Sequence, residues 1–386
     1  MLFEEKERVD QDSKRYIEND FTYLDRSARK ESDNVRQFLN KWVNCFPKQE
    51  AIEIISRIKS GDKIAFDSAV FEVFLYSIIK SLGYHIDIHP ELDNGSKKRP
   101  DFLVRTPNGD EFYLEAVLAS EDSKEKKAKE QIKNVVLEAI NSINSPDFFI
   151  GINAEGDPNT PPSSKKLCSF ITLWLTQLDP DIVMENVEKN GLDSIPSIIW
   201  KHEGWCIEFE AIPKNPEKRG KGQKVIGLHS NGFREVNTWK TIIKAIRSKG
   251  GRYGELKKPF IIAICVDEFS IDRYDETQAL FGQEELIINI ETLTILPKKR
   301  RARNGAWLGP QGIQYTRVSG VWIFNSVNPW NLVTRQNTLY FNPWAQFSIP
   351  DELQTVNHAI VVGSKLEWIE GKNLSDILDL PISWPE

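Results

Sequence analysis

The hydrophobic pattern changes period between Asp67 and Ala119, and this change is the strongest constraint on the fold. DSAVFEVFLYSIIKSLG reads as a strongly apolar helix closed by Gly83, a helix-terminating glycine. YHIDIHPEL then alternates with the period of a strand. Two short apolar runs follow, PDFLVRT and EFYLEAVLA, separated by the turn signal PNGD, and together they read as a hairpin. A charged helix from about Lys124 to Ile143 and the strand DFFIGINAE come next. Residues 62–155 therefore run helix, three strands, helix, strand, the order of an α/β unit with a mixed sheet.

The rest of the chain extends this pattern. NVRQFLNKWVNCF has helical spacing and stops at Pro47, and a second helix covers Gln49 to Lys59. Serines near 163 can cap a helix running to about Leu178. WCIEFEAIP and KVIGLHS read as strands, NTWKTIIKAIRSKG as an amphipathic helix, and PFIIAICVDEF as a fully apolar strand. VWIFNSV and NTLYFNPWA are further strands. Asn328-Pro329-Trp330 and Asn342-Pro343-Trp344 read as structural corners.

Composition narrows the functional classes. With 386 residues, 40% of them apolar and 27% charged, the chain has the balance of a soluble globular protein of two or three domains or one elaborated domain. Fifty basic against 56 acidic residues leave a net charge of −6, so any nucleic-acid contact must come from local basic patches. Cys45, Cys168, Cys206 and Cys265 lie far apart with no Cys-x-x-Cys pair, which fits a reducing cytosol. The charged start is not a secretory signal and no apolar window is long enough to span a membrane, so a cytoplasmic location is expected. There is no P-loop and no Gly-x-Ser-x-Gly elbow. His85 and His89 would share one side of a strand, but no further ligands accompany them and zinc is not expected.

The chemistry concentrates at Asp101 and Glu115, on adjacent strands of the hairpin. Two carboxylates so placed can face one divalent cation, because Mg²⁺ takes oxygen ligands and keeps several waters. Glu72, on the preceding helix, can add a third carboxylate directly or through water. Such a site activates bound water and offsets charge on a phosphodiester.

The order FEVFLYSIIKSLG, RPDFLV, FYLEAV, long helix, strand resembles the PD-(D/E)xK, restriction-endonuclease-like nuclease superfamily. The resemblance implies an α/β fold with a mixed sheet flanked by helices, Mg²⁺ or Mn²⁺ held by Asp101 and Glu115, and phosphodiester cleavage. The family's Glu-x-Lys is here Glu115-Ala116-Val117, so the lysine must come from elsewhere. Lys124 and Lys127 are nearby candidates. Lys249-Gly-Gly-Arg-Tyr253 is similar to the Gln-x-x-x-Tyr of RecB-like members, which makes Lys249 the preferred lysine and Tyr253 its companion. Residues from roughly 156 to 235 would then be an insertion, and the core helix and strand those around 238–267. The expected organisation is a helical N-terminal region (1–60), an α/β core (61–270) and a β-rich C-terminal half (271–386) packed on it. FTYLDRSAR, RYGELKKPFIIAI and YFNPWA also resemble a family of uncharacterised bacterial proteins, which brings no activity.

Basic segments complete the reading. Lys298, Lys299, Arg300, Arg301 and Arg303, followed by Trp307, Tyr315 and Arg317, suit phosphate contacts and base stacking. Lys214, Lys218, Arg219, Lys221 and Lys224 form a second basic loop. The expected function is a metal-dependent DNA endonuclease in bacterial defence against foreign DNA, acting as a homodimer or with a defence-system partner. The alternative is an inactive nucleic-acid-binding or assembly subunit with the same fold.

Overall fold

Every residue of Phe260–Val266 is buried, and a strand apolar on both faces needs cover on both sides. It lies inside an eight-stranded sheet. The computed structural model describes residues 1–120, 124–220, 225–230, 237–267, 271–285, 288–289, 294–295 and 300–386. The helices in chain order are α1 (Asp20–Arg26), α2 (Lys30–Val43), α3 (Lys48–Lys59), α4 (Lys63–Ser81), α5 (Lys124–Asn141), α6 (Ser164–Leu175), α7 (Pro180–Asn190), α8 (Thr238–Gly250), α9 (Arg273–Phe281) and α10 (Leu374–Leu378). The main strands are β1 (His85–Ile88), β2 (Phe102–Arg105), β3 (Glu111–Ala119), β4 (Phe148–Glu155), β5 (Ser197–His202), β6 (Trp205–Pro213), β7 (Ile226–Ser230), β8 (Phe260–Val266), β9 (Gly320–Asn325), β10 (Asn337–Phe341), β11 (His358–Val362) and β12 (Lys365–Ile369).

The chain forms two units, one of residues 1–13, 19–121 and 237–386, the other of residues 14–18 and 122–236. In the first, the sheet order is β1-β2-β3-β8-β9-β10-β11-β12, with parallel pairs β3/β8, β8/β9 and β10/β11 among antiparallel ones. It is a mixed sheet with helices on both faces. In the second, β4 pairs antiparallel with β6 from Phe148↔Pro213 to Glu155↔Cys206 and parallel with β7, while β5 flanks β6.

This division changes the expected organisation. Sequence order places the helix after the hairpin and the strand DFFIGINAE in the core with the carboxylates and starts an insertion near 156, whereas the Lys249–Tyr253 resemblance puts the core helix and strand around 238–267, where the structure has α8 and β8. In the structure α5 and β4 already belong to the second unit. The free edge of β3 is taken by β8, from Tyr113↔Phe260 to Ala119↔Val266, leaving no edge there for β4. Partner choice between strands is long-range, and order along the chain does not encode it.

Local chemistry sets the elements that carry the carboxylates. Asp62 caps α4 by accepting from the Ala65 amide at 2.8 Å. Gly83, at φ +86°, closes it, with its amide donating to Lys80 O. The β2–β3 turn is closed by Thr106 N to Asp110 O at 2.8 Å and by Gly109 at φ +93°. One sheet face is covered by α4, whose Val70, Phe74 and Ile78 pack with Leu39 of α2 and Ile58 of α3. The N-terminal helices thus contribute to the core on this face of the sheet. α8 and α9 cover the other face, with Ile242, Ile246 and Leu280 against Ile262 and Ile264.

The C-terminal strands extend the same sheet, and both Asn-Pro-Trp units are corners. Asn328 Oδ1 accepts from Trp330 N and Asn342 Oδ1 from Trp344 N, each at 3.0 Å. One acidic residue is sealed into this region. Glu276 of α9 is fully buried, and its Oε2 accepts from the Tyr340 hydroxyl at 2.5 Å. Its Oε1 and the Asn325 Oδ1 are buried without partners. Burial, above all, pushes the Glu276 carboxyl up to about 7. Among the described residues no helix is long and apolar enough to cross a membrane.

Candidate active site

The site begins with strand register. β2 and β3 pair through Phe102↔Leu114, and Asp101 and Glu115 are one step further along the same antiparallel register. Tyr113 belongs to the core under α8, whereas Leu114 belongs to the core under α4. Alternation therefore turns Glu115 toward α8. Asp101 Oδ2 accepts from the Ala116 amide at 2.7 Å, which ties the first carboxylate to the backbone beside the second.

Glu115 is only 1% exposed, and a carboxylate so buried needs partners. Lys249 Nζ donates to its Oε1. The Tyr253 hydroxyl donates to its Oε2 at 2.5 Å. The cation that Glu115-Ala116-Val117 lacks on β3 thus arrives from α8, 134 residues along the chain. Lys249 and Tyr253 do not lie on one helix, however. α8 stops at Gly250, where a Cβ would come within 2.6 Å of the Tyr315 ring. Tyr253 reaches Glu115 from the following turn, with its ring edge-on to Phe260 at 5.6 Å. Burial and the adjacent Glu115 charge both raise the Tyr253 pKa, so the phenol stays a hydrogen-bond donor.

Glu72 lies on the other side of Asp101. Arg57 of α3 grips it in a two-pronged pair, Nη1 to Oε2 at 2.7 Å and Nη2 to Oε1 at 2.6 Å. Arg57, Glu72 and Asp101 line a small cavity together with Glu50, Glu53 and Phe102. Glu50 Oε2 is buried there without a partner. Asp101 therefore links two acidic groups, Glu115 toward α8 and Glu72 in the α3–α4 cavity. Burial, then the charges of Glu115 and Glu72, push its carboxyl up to about 8, against the opposing Ala116 amide and Lys249.

Sequence reasoning passed over Arg57, Glu50 and Glu53. Their signal is spacing: positions 50, 53 and 57 fall on one face of a helix otherwise turned to the core through Ile54 and Ile58. The side chains of Lys124 and Lys127 lie outside the described residues. His85 bonds Asp87 at 3.1 Å, and His89 follows β1 at φ +48°, so the two are not on one strand face.

The expected nucleic-acid residues are placed differently from one another. Lys298 and Lys299 lie outside the described residues. Arg300 and Arg301 form a two-residue ladder opposite Glu285 and Glu284 and pair with them at 3.5 and 3.0 Å. Arg303 is exposed. Arg317 instead reaches the turn after α8, donating to Gly254 O at 3.2 Å. Trp307 cannot stack a base, because it is wholly buried against Phe281. In the second basic loop, Lys214 is buried and donates to Ser145 O, and Arg219 pairs with Asp181. Lys221 and Lys224 lie outside the described residues.

Among the described residues no three His, Cys, Asp or Glu side chains form a ready metal cage. The donor chemistry at Asp101 and Glu115 nevertheless suits a hard cation. Asp101 Oδ2, Glu115 Oε1 and Glu115 Oε2 each carry a second lone pair beyond the hydrogen bond they accept, and waters can complete the shell. No family model, curated protein or solved structure matches the chain.

Proposed function

We propose that the chain is a metal-dependent phosphodiesterase acting on nucleic acid, with a restriction-endonuclease-like core in its first unit. The observation that carries this reading is the arrival of Lys249 at Glu115, next to Asp101, where β3 itself supplies only Val117. Paired carboxylates that can hold a divalent cation, with a lysine beside them to stabilise developing negative charge, suit metal-assisted phosphodiester hydrolysis. Asp101 and Glu115 would hold Mg²⁺ or Mn²⁺, which when bound neutralises phosphate charge and acidifies water.

The chain's own groups supply the rest. Lys249 brings a positive charge to the place where a phosphodiester gains negative charge. The Tyr253 hydroxyl fixes the rotamer of Glu115 and stays protonated while doing so. Arg57 holds Glu72 beside Asp101 and keeps that charge compensated inside the cavity.

A second reading is a binding or assembly subunit without turnover. It is favoured by one feature: both Glu115 oxygens are engaged by the chain's own donors. Incubation with plasmid DNA, linear DNA and RNA, in Mg²⁺, Mn²⁺ or EDTA, separates the two. Cleavage that needs metal, vanishes in Asp101→Ala and falls in turnover far more than in binding in Lys249→Ala is expected for the enzyme. Cleavage that survives Asp101→Ala removes this site from the mechanism. Binding without cleavage under every metal condition selects the second reading.

A further inference from the structure

Three separate segments of the first unit meet at the turn that carries Tyr253. Asn94 Nδ2 donates to both Tyr253 O and Glu255 O at 2.8 Å, pinning the loop before Asp101 to the turn after α8. Arg317 Nη1 donates to Gly254 O at 3.2 Å from a third segment. A Cβ on Gly254 would sit 3.4 Å from Asn94 Nδ2, and its φ of +72° favours glycine, so the junction is close. The same turn directs Tyr253 inward onto Glu115. These loops are therefore the rim of the candidate site.

The rim is basic on a chain whose net charge is −6. Lys97, Lys98 and Arg99 stand on the first loop, Arg252 and Lys257 on the turn, and Arg317 on the third segment; all but the half-buried Arg317 are exposed. Arg99 is paired with Glu91 at 2.5 Å, and Asp93 and Glu255 are the other acidic residues of these loops. Lys97, Lys98, Arg252 and Lys257 form no ion pair among the described residues. This contrasts with Arg300 and Arg301, each set opposite a glutamate.

We propose that this rim, rather than the glutamate-paired Arg300 and Arg301, is where a nucleic-acid backbone docks, its phosphates lying over Lys97, Lys98, Arg252 and Lys257 beside Glu115. The proposal rests on the phosphodiesterase reading for its placement, but binding tests it without turnover. Exposed lysines and arginines not neutralised by carboxylates are the groups that displace counterions from a phosphate chain.

The test is anisotropy of labelled duplex DNA, single-stranded DNA and RNA in EDTA over a salt series, with heparin as a competing polyanion. The variants are Lys97→Gln/Lys98→Gln/Arg252→Gln/Lys257→Gln and, separately, Arg300→Gln/Arg303→Gln, each checked for wild-type circular dichroism. The rim variant is expected to bind at least about tenfold more weakly and to lose roughly three from the slope of log K against log salt, while the other variant is near wild type. Unchanged affinity and slope in the rim variant overturn the proposal. So does a loss confined to the 300/303 variant, or binding to heparin but to no nucleic acid. Rim-dependent binding without metal-dependent cleavage would leave this surface standing and remove the phosphodiesterase reading. Cleavage with rim-independent binding would do the reverse.

Discussion

Replacing Glu276 by Gln should change how stability depends on pH, and the direction follows from its surroundings. Arg273 faces it from its own helix α9 and Asp272 from the N-cap of that helix, Asn325 from β9 and Tyr340 from β10, with Trp368 of β12 donating to the Tyr340 hydroxyl at 3.3 Å. Two buried acceptor oxygens, Glu276 Oε1 and Asn325 Oδ1, lack donors, and a proton on Glu276 would serve as the missing donor. The folded-state carboxyl is pushed up to about 7 from an ordinary 4.5. Because the folded pKa lies above the unfolded one, the stabilisation is complete below about 4.5, declines as pH rises and is gone above about 7. At about 1.4 kcal/mol per tenfold in proton affinity, that loss is roughly 3 kcal/mol, or about 6 °C in melting temperature for a unit of this size. Glutamine can accept from Tyr340 and donate toward Asn325 at any pH. Thermal unfolding across this range should show the variant near wild type at acid pH and more stable than wild type by about that amount at pH near 8. Parallel pH profiles for the two proteins would refute the reasoning.

Other expectations concern the site and its scaffold. Lys249→Met strands a buried Glu115 carboxylate and should cost about 3 kcal/mol, while Glu115→Gln/Lys249→Met should recover part of it; additive losses in denaturant titrations would show that the pair is not coupled. Gly282→Ala should destabilise by roughly 2 kcal/mol or more, since φ is +93° and a Cβ would stand 1.9 Å from Ala302 O; an unchanged melting temperature would contradict that geometry.

Much of the architecture was legible because its causes are local. The helix ending at Gly83, the Asn-Gly turn at 108–109 and the apolar strand at 260–266 are encoded by spacing over a few residues and by glycine's access to positive φ. The two carboxylates were legible for the same reason, since a hairpin brings Asp101 and Glu115 together whatever the rest of the chain does. Lys249 and Tyr253 could be named from their own segment. That they reach Glu115 depends on β8 pairing with β3, which no local pattern specifies. The Arg57–Glu72 pair depends in the same way on how α3 packs against α4. Charge was read least well. A count of lysines and arginines treats Arg300, Arg301, Lys97 and Arg252 alike, whereas packing sets the first two against glutamates and leaves the others to solvent. Local pattern specifies which element forms, because backbone conformation answers to near neighbours. Which strand joins which sheet is decided by contacts as distant as β3 with β8 and Glu115 with Lys249, and which charge stays unpaired by packing between elements, as at Arg57–Glu72 and Arg301–Glu284, where burial and shape choose among partners that composition cannot tell apart.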